Sequence, residues 1–153
     1  MKKSTTIALQ VVVVIVGIGV LALMLWEPHL EGRNVNATLF QIYFNDPFLA
    51  CAYLASIPFF VALHQAFKLL EHIGRNEVLS DRSVRALRVI KYCGLSLVAS
   101  LVAAEACLWI FVRGTDDIAG GVVVGLFLMF VSIVITTAAA VFERRLSSYR
   151  TAR

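Results

Sequence analysis

The sequence predicts an all-α integral membrane protein: a four-helix bundle with both termini inside and a third helix extended into the cytoplasm. Three observations carry that prediction. The chain is 59% apolar and only 16% charged, where a soluble domain is about a quarter charged. Its charges are segregated, leaving four long stretches almost free of them, and about 20 apolar helical residues are enough to cross the hydrocarbon. A soluble core hides one such helix, not four. The basic residues, finally, fall almost entirely into segments that the four crossings bring to one side. At 153 residues the chain makes a single membrane domain.

The first span is placed at 5–26. Lys2 and Lys3 precede an apolar run that is too long for a signal peptide and lacks a small-x-small site, so it is read as uncleaved. Trp26 takes an interfacial aromatic position, and Pro28 is a natural stop. Residues 27–47 form the outer loop. There Glu27, His29 and Glu31 read as a solvated charge cluster rather than metal ligands. Leu39, Phe40, Ile42, Tyr43 and Phe44 are too few to cross a bilayer and suit a segment at headgroup level.

The second span is placed at 48–70, with Pro58 bending it and Ala55, Ala62 and Ala66 allowing close approach of a neighbour. Gly74 is the expected C-terminal cap. A hairpin tip, 71–85, follows. Within it Ser80 is an N-cap, Asp81 an acid in the first turn, and Leu79 with Val84 a hydrophobic staple. The third helix therefore begins at Ser80, before its membrane span at 86–112. It runs unbroken to Val112, some 30 residues or about 45 Å. A tight turn at 113–117 leads to the fourth span, 118–142. In that span Gly121, Gly125, Ser132, Thr136 and Ala140 recur about every four residues as a small-residue packing seam. Residues 143–153 are read as a basic tail.

Twelve of the fourteen Lys and Arg residues fall at the N-terminus, in and around the tip, or in the tail; only Arg33 and Arg113 fall opposite. The positive-inside rule then places both termini and the tip in the cytoplasm and the chain, multi-pass, in the cytoplasmic (inner) membrane.

The residues around the tip carry a resemblance. Ile57-Pro58-Phe59-Phe60, Ala62 and Gln65-Ala66-Phe67-Lys68-Leu69-Leu70 precede it, and Ser83-Val84-x-Ala86-Leu87 and Ile90-Lys91-Tyr92-Cys93 follow. This long ungapped pattern resembles the YoaS-like family of small four-helix bacterial membrane proteins, a domain family of unknown function. The resemblance implies four spans and, because such families sit beside small helix-turn-helix regulators, a regulatory role. It carries over no catalytic residue. His64 stands where the pattern leads one to expect an aromatic.

Three groups of residues stand out against the apolar background. Glu105 is the one acid inside a span, and an intramembrane acid is a functional-site hypothesis by default. Its structural alternative is a neutral acid hydrogen-bonded to a neighbour such as Trp109. His64 and Gln65 add polar character to the inner half of the second span. His64 is expected to be a satisfied interhelical histidine about 13 Å from the level of Glu105. Arg75, Arg82, Arg85, Arg88 and Lys91 form a basic cytoplasmic face suited to anionic lipid or an acidic protein. Cys51, Cys93 and Cys107 form no C-x-x-C and no Cys/His cluster, which argues against redox and zinc chemistry.

No paired acids, nucleophile with base, or metal spacing supports an enzyme, and no cofactor or metal is expected. The preferred reading is a non-enzymatic regulatory or interaction partner. It would act through the basic face on a cytosolic regulator, or through the Gly121/Gly125 seam on another membrane protein or a second copy. The alternative is a small oligomeric transporter or pore using Glu105, against which stand the missing repeats and, Pro58 apart, the unbroken helices. Nucleic acid is not expected, since no recognition motif or interleaved aromatic is present.

Overall fold

Apolar runs in lipid leave the backbone no hydrogen-bonding partner but itself, so each becomes a helix. The computed structural model describes residues 3–30, 47–112 and 119–151. Within them α1 is Lys3–Leu30, α2 is Pro47–Gly74, α3 is Asp81–Cys107 and α4 is Ala119–Thr151. The described residues contain no strand. Each helix holds a stretch long and apolar enough to span a membrane: Ser4–Trp26, Ala52–Gly74, Asp81–Ile110 and Gly120–Tyr149. Ile18, Leu23, Ile110 and Phe130 are all more than 60% exposed. In water such faces are opposed by roughly 25 cal/mol per Å² of apolar surface, an opposition that lipid removes. The chain is a multi-pass membrane protein. The headgroup-level segment at 39–44, Glu31 and the 113–117 turn lie outside the described residues.

Helices pack in chain order, α1 on α2, α2 on α3 and α3 on α4, and α1 has no comparable contact with α4. Every neighbouring pair is antiparallel. Thr6 near the start of α1 meets Gly74 at the end of α2, and Gly17 meets Leu63. Arg88 near the start of α3 reaches Glu143 late in α4. The start of α1, the α2–α3 tip and the far part of α4 therefore share one end of the array.

Burial is concentrated at that end. The buried apolar side chains are Val84, Ala86, Leu87, Ile90 and Ala139, with Ala66, Leu69 and Leu146 packed against the Leu87–Ile90–Ala139 cluster. Thr6, Ser83, Thr136 and Glu143 are buried polar groups beside them.

The helix ends show how local chemistry sets these boundaries. α1 does not stop at Pro28 but runs through it to Leu30. Proline lacks the N–H that would bond to the carbonyl four residues back, that of Met24. The Tyr53 hydroxyl of α2 donates to that carbonyl instead, at 2.7 Å. α2 ends past Gly74 in a Schellman motif. Asn76 takes the left-handed conformation at φ 59°, its N–H bonding to the Ile73 carbonyl (3.1 Å) and the Glu77 N–H to that of His72 (2.8 Å). Gly74 serves packing instead: a Cβ there would lie 3.0 Å from Thr6 Cγ2. α3 begins as expected, with the Ser80 hydroxyl accepting from the Ser83 N–H at 3.2 Å and Asp81 in the first turn. Leu79 is 44% exposed beside buried Val84. At its other end α3 does not run unbroken to Val112: it stops at Cys107 and the chain continues as a π-helical turn, Leu108–Val112.

Candidate functional site

Two elements meet at the tip end, and their sequences decide what faces inward. Along the first turns of α3, Ser83, Val84, Ala86 and Leu87 are buried while Arg82 and Arg85 are exposed. Ser83, wholly buried, donates from its hydroxyl to the Glu77 carbonyl at 3.1 Å and lies 3.1 Å from the Ser80 hydroxyl. The tip is thus held from both sides, by the Schellman turn of α2 and by the capped start of α3.

One turn further along, the basic residues turn toward α4. Arg88 Nε donates to Glu143 Oε1 at 2.7 Å and Lys91 Nζ to Glu143 Oε2 at 2.6 Å. Glu143 is only 7% exposed. An acid buried this far is retained where cations and hydrogen bonds satisfy both oxygens, as here. Arg75 pairs with Glu71 on its own helix at 2.7 Å. Of the five basic residues read as one open face, Arg75, Arg88 and Lys91 are therefore engaged within the chain, and Arg82 and Arg85 point outward. Charge counting along the sequence did not single out Glu143. It had been grouped with a basic tail, and its signal was available in the sequence: it is the first acid after a long apolar run that ends level with Arg88 and Lys91. His72, facing the tip, has Nδ1 3.6 Å from Glu77 Oε2.

Near the opposite end Glu105 lies against Gly125 of α4, so closely that a Cβ on Gly125 would overlap its Oε1. Its Oε2 is buried and has no hydrogen-bond partner among the described residues. The seam residues Gly125 and Thr136 both face α3, Thr136 against Gly94, and a Cβ on Gly121 would sit 3.7 Å from Leu108. Ser132 takes part by accepting the Thr136 hydroxyl at its carbonyl, 2.6 Å away. This part of the seam therefore packs the chain's own α3.

His64 does not join Glu105. It is exposed on α2, whereas Gln65 is half-buried. The helical wheel explains this correction to the interhelical expectation. Leu63 contacts α1 and Ala66 packs against the α3–α4 core. At about 100° per residue, His64 falls about 100° from Leu63 and about 160° from Ala66, away from both neighbours. No group of three or more His, Cys, Asp or Glu side chains suited to a metal occurs among the described residues. Cys93 and Cys107 are free thiols.

A family model described as protein of unknown function (DUF2975) matches residues 34–147, which take in α2, the tip, α3 and nearly all of α4. The chain belongs to this family. It is also 38% identical over 148 residues to the uncharacterized membrane protein YoaS of Bacillus subtilis (strain 168). That match covers 95% of this chain and 91% of the relative, so the likeness to this relative, unlike the family match, takes in α1 as well. No solved structure matches.

Proposed function

We propose that this protein is a non-enzymatic regulatory or interaction partner, presenting Arg82 and Arg85 at a cytoplasmic tip to an acidic segment of a cytosolic protein. The observation that carries this reading is the contrast within the first turns of α3, where two exposed arginines alternate with four buried residues. The backbone that carries the two cations is already held by caps and packing, so binding has to order only their side chains and not the segment itself. The distribution of basic residues supports a cytoplasmic location for this end.

The test is a crosslinking pull-down from native membranes that compares wild type with Arg82→Gln/Arg85→Gln. Ten of the twelve basic residues that set orientation remain in the variant, so insertion is preserved. Capture of a cytosolic protein is expected to fall with the variant. Equal capture by both removes the tip from the function.

One observation favours a second reading, a small oligomeric transporter or pore. The unpartnered buried oxygen of Glu105 is the kind of group that takes up a proton or a cation inside a membrane.

A further inference from the structure

Three observations meet in the groove between the polar ends of α3 and α4, which is lined by Lys91, Glu143, Arg144, Ser147, Ser148 and Thr151. The first is charge. Glu143 has both oxygens filled, by Arg88 and Lys91, so one acid faces two cations. An ammonium carries three donors, and the Glu143 bond uses one of those on Lys91. Arg144 is exposed and pairs with no carboxylate among the described residues. The Ser148 and Thr151 hydroxyls donate back to the carbonyls of Arg144 and Ser147, at 3.0 and 3.1 Å. Ser147 makes no such bond among the described residues, and its hydroxyl is exposed beside Arg144.

The second observation is depth. Lys91 precedes Ile110 by nineteen residues, about 29 Å of helix rise, and a bilayer's hydrocarbon is about 30 Å thick. With Ile110 at one boundary, Lys91 stands at the other. Tyr92, 60% exposed, stands beside Lys91 as aromatic residues do at headgroup level. Lys91 Nζ lies 4.8 Å from the centre of the Tyr92 ring.

The third is the surface that continues inward from the groove. Leu95 on α3, one turn inward from Lys91, and Ile133 on α4, eleven residues before Arg144 and so on the same helical face three turns inward, are exposed and apolar.

We propose that this groove holds the phosphate of an anionic phospholipid, with Lys91, Arg144 and Ser147 donating to the headgroup and the acyl chains lying along Leu95 and Ile133. A free phosphate ion is accounted for by the charge alone. Headgroup depth and an adjoining apolar run call for an amphiphile. The site is separate from Arg82 and Arg85, so it stands or falls apart from the tip's protein partner.

The experiment uses the full chain in a neutral detergent, offered equal amounts of phosphatidylglycerol and phosphatidylcholine, with retained lipid counted by native mass spectrometry. Wild type is expected to retain phosphatidylglycerol in preference by about fivefold or more, the worth of one basic residue beside a charged surface. Arg144→Gln/Ser147→Ala, both at exposed positions, should lose that preference, while Arg144→Lys and Arg82→Gln/Arg85→Gln keep it. Excess glycerophosphate or inorganic phosphate should leave the retained lipid in place. The proposal is overturned by a wild type without preference, by full preference in Arg144→Gln/Ser147→Ala, or by displacement of the lipid with either soluble phosphate.

Discussion

Thr136 of α4 occupies the space that a side chain on Gly94 of α3 would need. A Cβ built on Gly94 would overlap Thr136 Oγ1 and lie 3.2 Å from its Cβ. Thr136 has little room to give, because its branched side chain is stiff and its hydroxyl is bonded to the Ser132 carbonyl at 2.6 Å. Gly125 is crowded by Glu105 in the same way, but there the obstacle is the far end of a flexible side chain. Gly94→Ala should therefore lower stability by about 1–3 kcal/mol, the usual range for overpacking, and Gly125→Ala by less. Thermal unfolding of both variants in one detergent checks the order.

Glu105 separates the two functional readings. Glu105→Gln keeps the shape that fits over Gly125 and the capacity to hydrogen-bond, so a packing role predicts near-wild-type stability. Glu105→Leu puts a branched apolar group against the bare Cα of Gly125, and it should destabilise α3–α4. Proton and cation flux are measured in proteoliposomes alongside. Loss of a wild-type flux in a folded Glu105→Gln protein would install the transporter reading in place of the interaction partner.

The Tyr53–Met24 bond predicts a specific coupling. Tyr53→Phe removes one hydrogen bond and should cost about 1 kcal/mol. In a Pro28→Ala background the restored N–H can bond to the Met24 carbonyl, so the same change should cost less. A double-mutant cycle read by unfolding measures the difference. Equal costs in both backgrounds would show that the tyrosine is not standing in for the missing donor.

Glu143→Gln keeps volume but removes the charge that gathers Arg88 and Lys91. Backbone amide exchange should quicken around residues 84–90 and 139–146, which share the core with this cluster, while the α1–α2 contact keeps its protection. Unchanged exchange in the core would mean that apolar packing alone joins the two helices there.

Orientation is open to thiol labelling in a cysteine-free background. Cysteines introduced at Asn34 and Asp116 should react with an impermeant reagent added to intact cells, and one at Asn76 should not. The reverse pattern would turn the molecule over and place Arg82 and Arg85 on the outside.

What could be seen in the sequence follows from how local each signal is. Four spans are legible because lipid enforces helix wherever an apolar run is long enough, and the Ser80 cap because its bond closes within three residues. The helix does stop at Gly74, as its glycine suggests, but the left-handed residue that closes the turn is Asn76, while Gly74 gives room to Thr6 of α1. The pairing of Glu143 with Arg88 and Lys91 spans more than fifty residues, so its one trace in the sequence is the place of Glu143 as the first acid after the fourth apolar run. His64 was misjudged because its burial depends on which neighbours α2 has, not on its depth. The π-helical turn at Leu108–Val112 has no sequence account here.

Arg88 and Lys91 precede Glu143 along the chain by 55 and 52 residues. At a synthesis rate of about 5–20 residues per second, they wait roughly 3–11 s for the acid to be made. Throughout that interval Glu143 cannot neutralise them, and under the positive-inside rule such cations resist translocation. Once the last helix is in place the same two side chains become its clasp. If the thiol labelling places the tip inside, a single pair of residues would serve first as a topological brake and then as a fastener, in an order set by the direction of translation.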